Sequence, residues 1–118
     1  MHDFPSFMKD QAIRIPRAQE HTPSVEGYVF DGRGNGQVAF WTCHDAQSSA
    51  RHSHPFDEYL LVVAGEYTLI IGGEESLLLP GAEVVIEAGT IQSARIAPGT
   101  RTIHAFGGKR VTVEGPTR

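Results

Sequence analysis

The sequence predicts an all-β domain built from short antiparallel strands. Apolar and β-branched residues recur in about ten short runs, with turn residues between them at intervals of roughly 6 to 10 residues. The chain contains 13 glycines and 7 prolines, which are concentrated between these runs. No segment holds a 3.6-residue apolar period over three turns. These observations indicate a sandwich or a barrel of antiparallel strands, and periodicity alone leaves both open.

Length, composition and charge limit the classes of function. A chain of 118 residues is one domain, long enough to remove about two thirds of its unfolded surface from water. Its apolar content of 40% and charged content of 20% are ordinary for a soluble globular protein. The net charge of −4 argues against a nucleic-acid partner, which would require a basic stripe.

Cysteine usage and the lack of targeting signals predict a cytoplasmic protein. The single cysteine, Cys43, excludes an internal disulfide framework and a cysteine-based structural zinc site. We expect Cys43 to be a small strand residue rather than a nucleophile. No cationic segment precedes a long apolar run, so we expect neither a signal peptide nor a membrane span.

Residues 1–24 are predicted to form an N-terminal arm that packs on the barrel or on a partner. The apolar residues at 4–8 suit either a short helical turn or a packing arm. The alternation at 13–15 predicts a short edge strand that ends at a proline. The polar sequence that follows predicts a linker, with His21 exposed to solvent.

From Val25 the β pattern becomes continuous. A DGRGNG turn joins the first two runs as a hairpin, and GGEE predicts a tight turn further along. The barrel is expected to cover 25–113, followed by a tail at 114–118. The strands are expected at 26–30, 37–43, 51–54, 58–64, 67–71, 76–79, 83–86, 91–96, 101–106 and 110–113.

The candidate chemistry lies in the sequence RHSHPFDEYLLVVAG at 51–65. His52 and His54 are two residues apart, so in a strand their imidazoles project from the same face. Pro55 ends that strand, and the turn after it can bring the carboxylate of Glu58 to the same site. Two imidazoles and one carboxylate form the facial triad that suits Fe(II), although Mn, Ni, Co or Zn can also use it.

This stretch resembles the first sequence motif of the cupin family, which has two histidines, a glutamate and a glycine at the spacing of HSHPFDEYLLVVAG. A second stretch, GAEVVIEAGTIQ at 81–92, resembles the second cupin motif. The family usually has proline at the place of Glu87 and histidine at the place of Gln92. The resemblance implies a small single-domain jelly-roll barrel, also called a double-stranded β-helix, with a metal inside and an opening for substrate at one end.

The same resemblance implies a metal site formed by His52, His54, Glu58 and Gln92. An amide oxygen suits Mn or Fe better than Zn or Cu, so Fe(II) or Mn(II) is favoured, with Zn or Ni possible. Gln92 can be a ligand, can bind a metal-bound water, or can simply face the cavity. A site that has lost its metal altogether is the fourth interpretation.

Two further histidines were candidates for the missing fourth ligand. His44 follows the first hairpin and is expected on the loop surface. If Pro98 and Gly99 form a two-residue hairpin, Gln92 lies opposite Ala105, and His104 then faces away from the metal. A change of one residue in loop length would reverse this assignment. We therefore expect His104 not to be a ligand.

The strand at 58–64 also predicts a covered outer face. With Glu58 inward, Tyr59, Leu61 and Val63 form an apolar strip on the outside, which the N-terminal arm or a second subunit would have to cover. We expect a homodimer. Phe40 and Trp41 point to opposite faces of their strand, and the sequence does not decide which of them is inside.

Two functions are compatible with these residues. The first is a metal-dependent enzyme of the dioxygenase, isomerase or cyclase type, acting on a small organic substrate, with Glu58 as a possible base. The alternative is a non-catalytic cupin module that binds or senses a small molecule, with or without an intact metal site. Neither involves nucleic acid or a membrane.

Overall fold

The computed structural model describes residues 2–16 and 24–111. Within these ranges two short 3₁₀ turns, Ser6–Met8 and Gln11–Ile13, precede nine β-strands. The strands are β1 (Val25–Asp31), β2 (Gln37–Cys43), β3 (Gln47–Ser48), β4 (Glu58–Ala64), β5 (Tyr67–Ile71), β6 (Glu74–Leu78), β7 (Glu83–Ile86), β8 (Gln92–Ile96) and β9 (Arg101–Phe106). The predicted all-β fold is confirmed, and most strand bounds agree within one or two residues.

The strands form two antiparallel sheets that pack face to face as a jelly roll. One sheet has the order β1-β2-β9-β4-β7 and the other has the order β3-β8-β5-β6. Apolar side chains from both sheets meet between them: Leu60 and Val62 on β4 pack with Leu69 on β5 and Ala94 on β8. This shared core holds the inner faces of the two sheets together.

Strand β4 alternates between the core and the outside as predicted. Glu58, Leu60 and Val62 are buried, whereas Tyr59 and Leu61 on the opposite face are partly exposed. Because the side-chain period of a strand is two, this register places the Glu58 carboxylate on the same face as the core residues.

The described part of the N-terminal arm, at 2–16, packs on the outer face of the larger sheet. Phe4 is buried and meets the ring of Phe40 edge to face, with centroids 5.2 Å apart. Tyr28 on β1 stacks on the ring of Phe40, with centroids 5.7 Å apart. Phe40 therefore lies beneath the arm, and Trp41, the next residue of β2, lines the interior.

Several local predictions differ from the structure. The segment at 51–54 forms a single bridge, His52 with Gln92, instead of a strand, while β3 pairs with β8 just before it. Strand β6 begins within the predicted GGEE turn, because Gly72 and Gly73 make the turn by themselves with positive φ. At 13–15, where a short edge strand was expected, the chain leaves the 3₁₀ turn Gln11–Ile13 and makes a single bridge, Arg14 with Tyr28 on β1.

Some predictions fall beyond the ranges that the structure describes. The polar linker with His21 lies in the gap between 16 and 24, and the tail at 114–118 follows the last described residue. Arg110 and Val111 are described and are not in a strand. No helix in the described ranges is both long enough and apolar enough to cross a membrane.

The connection from β8 to β9 overturns the predicted orientation of His104. Strand β8 pairs with β3 and β5, whereas β9 pairs with β2 and β4, so the turn at 98–99 links two sheets and is not a hairpin. Gln92 consequently has Ile71, not Ala105, as its partner across the strand pair. Since the two strands lie in facing sheets, His104 points into the interior and is buried.

Candidate functional site

The interior between the two sheets contains a cavity that opens to solvent. Its volume, measured as the space open to the centre of a water molecule, is about 60 Å³. Five of its lining residues carry the polar groups of the candidate site: His52, His54, Glu58, Gln92 and His104. The structure thus brings together all four residues of the predicted metal site, and it adds His104.

Backbone hydrogen bonds hold the two histidines of the first motif at the cavity. The N–H groups of His52 and Gln92 donate to each other's carbonyl oxygens at 2.9 and 2.8 Å. Gly89 N–H donates to the carbonyl of His54 at 2.8 Å. The two imidazole centroids are 5.0 Å apart, and the His54 ring stacks on Phe56 at 5.3 Å. The segment is thus held in place without being a strand.

The tautomer of His52 suits a metal ligand. Its Nδ1 lies 2.9 Å from the carbonyl oxygen of Ala50, which can only accept a hydrogen bond. Nδ1 therefore carries the proton, and Nε2 keeps the lone pair that a metal requires. Burial lowers the pKa of His52, and it lowers the pKa of His54 to about 4. Both imidazoles are therefore neutral at pH 7.

The carboxylate of Glu58 is the centre of the polar contacts. Its Oε2 accepts a hydrogen bond from His104 Nδ1 at 2.6 Å, and its Oε1 accepts one from the side-chain amide of Gln92 at 2.9 Å. His54 Nε2 lies 3.7 Å from the same Oε1. Glu58 begins β4, where Ile86 and Phe106 on the flanking strands complete its surroundings.

Glu58 is ionised despite its burial. Desolvation alone would raise the pKa of this carboxyl group. The hydrogen bond and the charge of His104, together with the hydrogen bond from Gln92, outweigh burial and lower the pKa of Glu58 to about 2. The cavity therefore holds a carboxylate anion beside the neutral imidazoles of His52 and His54.

His104 lines the cavity, whereas the sequence predicts that it faces away from the candidate site. Both of its ring nitrogens are within hydrogen-bond distance of oxygen atoms, Nδ1 of Glu58 Oε2 and Nε2 of Thr102 Oγ1 at 3.0 Å. Its ring also stacks on Phe106, with centroids 6.0 Å apart. No local sequence signal could have placed it here, because its orientation depends on which strands β8 and β9 pair with. Its predicted role as a non-ligand stays a prediction.

Gln92 occupies the place where the resembled motif has histidine. A carboxylate can only accept, so the group that Gln92 turns toward Glu58 is its NH₂. Gln92 is 3% exposed, so this hydrogen bond is shielded from water. In the present arrangement Gln92 orients the carboxylate, and whether its oxygen binds a metal stays a prediction.

The imidazoles of His52 and His54 and the carboxylate of Glu58 are chemically suitable ligands for a divalent metal. Neutral imidazoles and an ionised carboxylate are the forms that coordinate metals. Each Glu58 oxygen has a second lone pair, so a hydrogen bond from a neighbour does not use up its capacity to bind a metal. As placed, no group of three or more His, Cys, Asp or Glu side chains in the described ranges is arranged to hold an ion. Metal binding would therefore require side-chain adjustment around Glu58.

The cavity wall contains other residues that the sequence analysis did not assign to it. Trp41, Phe106 and Arg110 line it, and so does Cys43. The Cys43 thiol donates to the carbonyl of Asp45 at 2.9 Å, and burial raises its pKa, so it is a protonated thiol at neutral pH. A protonated thiol is a weak nucleophile, so nothing here activates Cys43 for catalysis.

Sequence comparison identifies one domain family. The profile described as "Cupin domain" matches residues 39–106, which include both stretches that resemble the cupin motifs, 52–65 and 81–92. No curated protein matches the chain.

Three solved structures illustrate the structural similarity. An RmlC-like cupin from Shewanella frigidimarina NCIMB 400 has 14% identity and a TM-score of 0.69, covering 88% of this chain and 86% of that one. KdgF from Halomonas sp. has 18% identity and a TM-score of 0.65, covering 78% and 89%. The polyketide cyclase RemF from Streptomyces resistomycificus has 15% identity and a TM-score of 0.68, covering 83% and 75%. At these identities the similarity shows a shared jelly-roll fold.

Proposed function

Because the chain belongs to the cupin family, and because its potential metal ligands meet at one cavity, we propose that it is a metal-dependent enzyme acting on a small organic molecule. The observation that carries this proposal is the gathering of His52, His54 and Glu58, two neutral imidazoles and one carboxylate, in an opening between the sheets. A divalent metal bound there supplies a Lewis acid for a carbonyl or enolate oxygen. One of the structural relatives, RemF, is a cyclase.

His52, through Nε2, and His54 and Glu58 would hold the metal. Gln92 is the candidate fourth ligand, and with an amide in that place Fe(II) or Mn(II) is favoured over Zn or Ni. The hydrogen bonds from Gln92 and His104 orient the Glu58 carboxylate, as groups around metal ligands commonly do. A carboxyl group with a pKa of about 2 binds a proton weakly at neutral pH, so Glu58 suits a ligand better than a general base.

Metal content tests the proposal. Protein purified without chelator should contain about one equivalent of divalent metal, and His52→Ala and Glu58→Gln should each reduce its affinity by about 10-fold or more. The matched control is His44→Ala, because His44 is a surface histidine bonded to Glu26 and does not line the cavity. Its metal content should equal that of the wild type. A wild-type protein that binds none of Fe(II), Mn(II), Ni(II) or Zn(II) would contradict the proposal.

A second candidate function is favoured by one specific observation. Both oxygens of Glu58 already have hydrogen-bond donors, His104 and Gln92, so the charged group is satisfied without a metal. A metal-free module that binds or senses a small molecule would be built in this way. Metal content separates the two candidates. A metal-free module would contain no metal as purified, and it would fold and bind its ligand equally well after chelation.

The homodimer and the cytoplasmic location remain proposals. The outer strip of Tyr59, Leu61 and Val63 is partly exposed, and it is the surface that a second subunit would cover. A molar mass in solution close to twice 12.9 kDa would support the dimer.

A further inference from the structure

Arg110 brings a positive charge into the wall of the cavity. Among the lining residues that the structure describes, it is the one lysine or arginine. Its guanidinium carbon lies 5.1 Å from the centre of the Trp41 ring and 5.7 Å from that of Phe106. Two aromatic contacts of this kind restrict the plane of the guanidinium group and stabilise its charge in a partly desolvated place.

The backbone that carries Arg110 is fixed to the barrel by one buried side chain. Gln37 on β2 accepts hydrogen bonds from the N–H groups of Arg110 and Val111 at 2.9 and 3.0 Å. Its NH₂ group donates to the carbonyl of Val111 at 2.8 Å. Gln37 and Val111 are each 3% exposed. The position of Arg110 is thus built into the fold, although the residue follows the last strand.

Arg110 is close to the candidate metal ligands. The Phe106 ring beside its guanidinium also contacts His54, at 5.6 Å between centroids, and His104. The charge of Arg110 adds to burial in lowering the pKa of both His52 and His54. The guanidinium and the imidazoles therefore line the same cavity, with the Phe106 ring between them.

We propose that Arg110 binds a carboxylate group of the substrate, so that the substrate class is a small organic acid. This inference rests on the proposed function, which supplies the reaction. It adds how the same cavity recognises the substrate. The planar fork of N–H donors on arginine matches the two oxygens of a carboxylate, and charge-assisted hydrogen bonds of this kind are the strongest that a cavity offers. The acid group would be held at Arg110 while the reacting carbon lies toward His52 and His54.

The test uses the 118-residue chain, free of metal, and two matched probes. Trp41 is the only tryptophan of the chain and touches Arg110, so its fluorescence reports binding at this place. Propionate and propionamide have nearly the same shape and differ in charge. We expect saturable binding of propionate to the wild type, with affinity for propionamide at least about 10-fold weaker.

Variants then assign the effect to Arg110. Arg110→Gln should weaken propionate binding about 10- to 100-fold and leave propionamide unchanged, because the charge-assisted hydrogen bonds are lost. Arg110→Lys keeps the charge without the fork and should give an intermediate loss. The matched control, Arg95→Gln, removes a surface arginine that pairs with Glu75 and should behave as the wild type.

Three results would overturn the inference: no saturable propionate binding up to about 100 mM, equal affinities for the two probes, or equal propionate affinity in Arg110→Gln and the wild type. If Arg110→Gln does not fold, the comparison of the two probes on the wild type and on Arg110→Lys decides. Because these titrations are made without metal, they are independent of the metal-content test. A protein that binds metal but shows no preference for propionate would leave the proposed function intact and remove this inference alone.

Discussion

Glu58 shows how single residues keep a charge inside this fold. Burying an ionised carboxylate is costly unless its oxygens are hydrogen-bonded or paired. His104 from β9 and Gln92 from β8 each bind one oxygen, so the two facing sheets both contribute to the same group. The carboxylate is therefore charged and oriented before any ligand arrives, which is the preorganised state that a binding site requires.

The pKa shifts of these residues predict how the metal-free protein responds to acid. The pKa of His54 is lowered from 6.5 to about 4, so protons favour the unfolded chain and stability falls as the pH drops through this range. The pKa of Glu58 is lowered from 4.5 to about 2, and its contribution is present above pH 4.5 and lost as the pH falls toward 2. We expect the melting temperature to decrease steadily below pH 6.5. The decrease should amount to several degrees, which is the shift that a loss of about 1 kcal/mol in the free energy of unfolding produces in a small domain.

A pair of histidine variants separates this effect from general acid denaturation. His54→Gln removes a group that titrates in the folded interior, so the decrease between pH 6.5 and 4 should become shallower. His44→Gln, at an exposed histidine that pairs with Glu26, controls for the loss of a histidine outside the interior. Thermal melts at a series of pH values, in the presence of a chelator, measure both. Identical slopes for His54→Gln and the wild type would show that His54 does not cause the decrease.

At the scale of elements, strands could be predicted from the sequence much better than their pairing. Strands β2, β4, β5, β7 and β9 were predicted with the observed bounds, because alternating apolar residues between turn signals are a local property. The candidate ligands His52, His54 and Glu58 were identified from the same local spacing. His104 and Arg110 could not be placed in this way, because their positions depend on contacts between distant strands. Arg110, in particular, follows the last strand and reaches the cavity through Gln37 on β2.

The turn between β4 and β5 gives a prediction about how elements meet. Gly65 has a φ of 84°, and a Cβ atom there would lie 2.6 Å from the Cα of Thr100, just before β9. The Thr100 hydroxyl also bonds to both backbone groups of Glu66, so the neighbour cannot move away easily. Gly65→Ala should therefore lower the free energy of unfolding for two reasons, the backbone strain of the left-handed conformation and a steric clash with Thr100.

Gly99→Ala is the matched control for this clash. Gly99 has nearly the same φ, 80°, but a Cβ atom there would meet nothing within 4 Å. It should cost about 1 to 2 kcal/mol of backbone strain, and Gly65→Ala should cost at least about 2 kcal/mol more. Urea denaturation of the three proteins gives the difference. Equal losses would show that the chain at 100 yields to the added methyl group.

At the scale of the whole molecule, the two faces of the larger sheet have different tasks. The inner face carries Trp41, His104 and Phe106 at the cavity, while the outer face carries Tyr28 and Phe40 beneath the N-terminal arm. A single barrel has no helix layer to cover such an outer surface, and here the arm covers the part of it around Phe40, while Phe30 and Val38 on the same face are exposed. The arm therefore stabilises the sheet from the side opposite to the candidate site. Residues that contribute to stability on the outer face are thus different from the residues that line the cavity on the inner face.

The arm contains two phenylalanines that test this division. Phe4 is 7% exposed, packs on Phe40 and lies under the guanidinium of Arg101 at 5.1 Å, whereas Phe7 is 81% exposed. Phe4→Ala should lower the free energy of unfolding by about 3 kcal/mol, because it opens a cavity in the outer cluster. Phe7→Ala should change it by less than about 0.5 kcal/mol.

Both variants are expected to keep the site, since Phe40 and Trp41 point to opposite faces of β2 and the change is made on the Phe40 side. Urea denaturation measures stability, and metal titration of the same samples under native conditions measures the site. Equal stability losses for the two variants would show that the arm does not cover the sheet as described. A Phe4→Ala protein that is folded but has lost its metal affinity would show instead that the outer cluster and the cavity are coupled through β2.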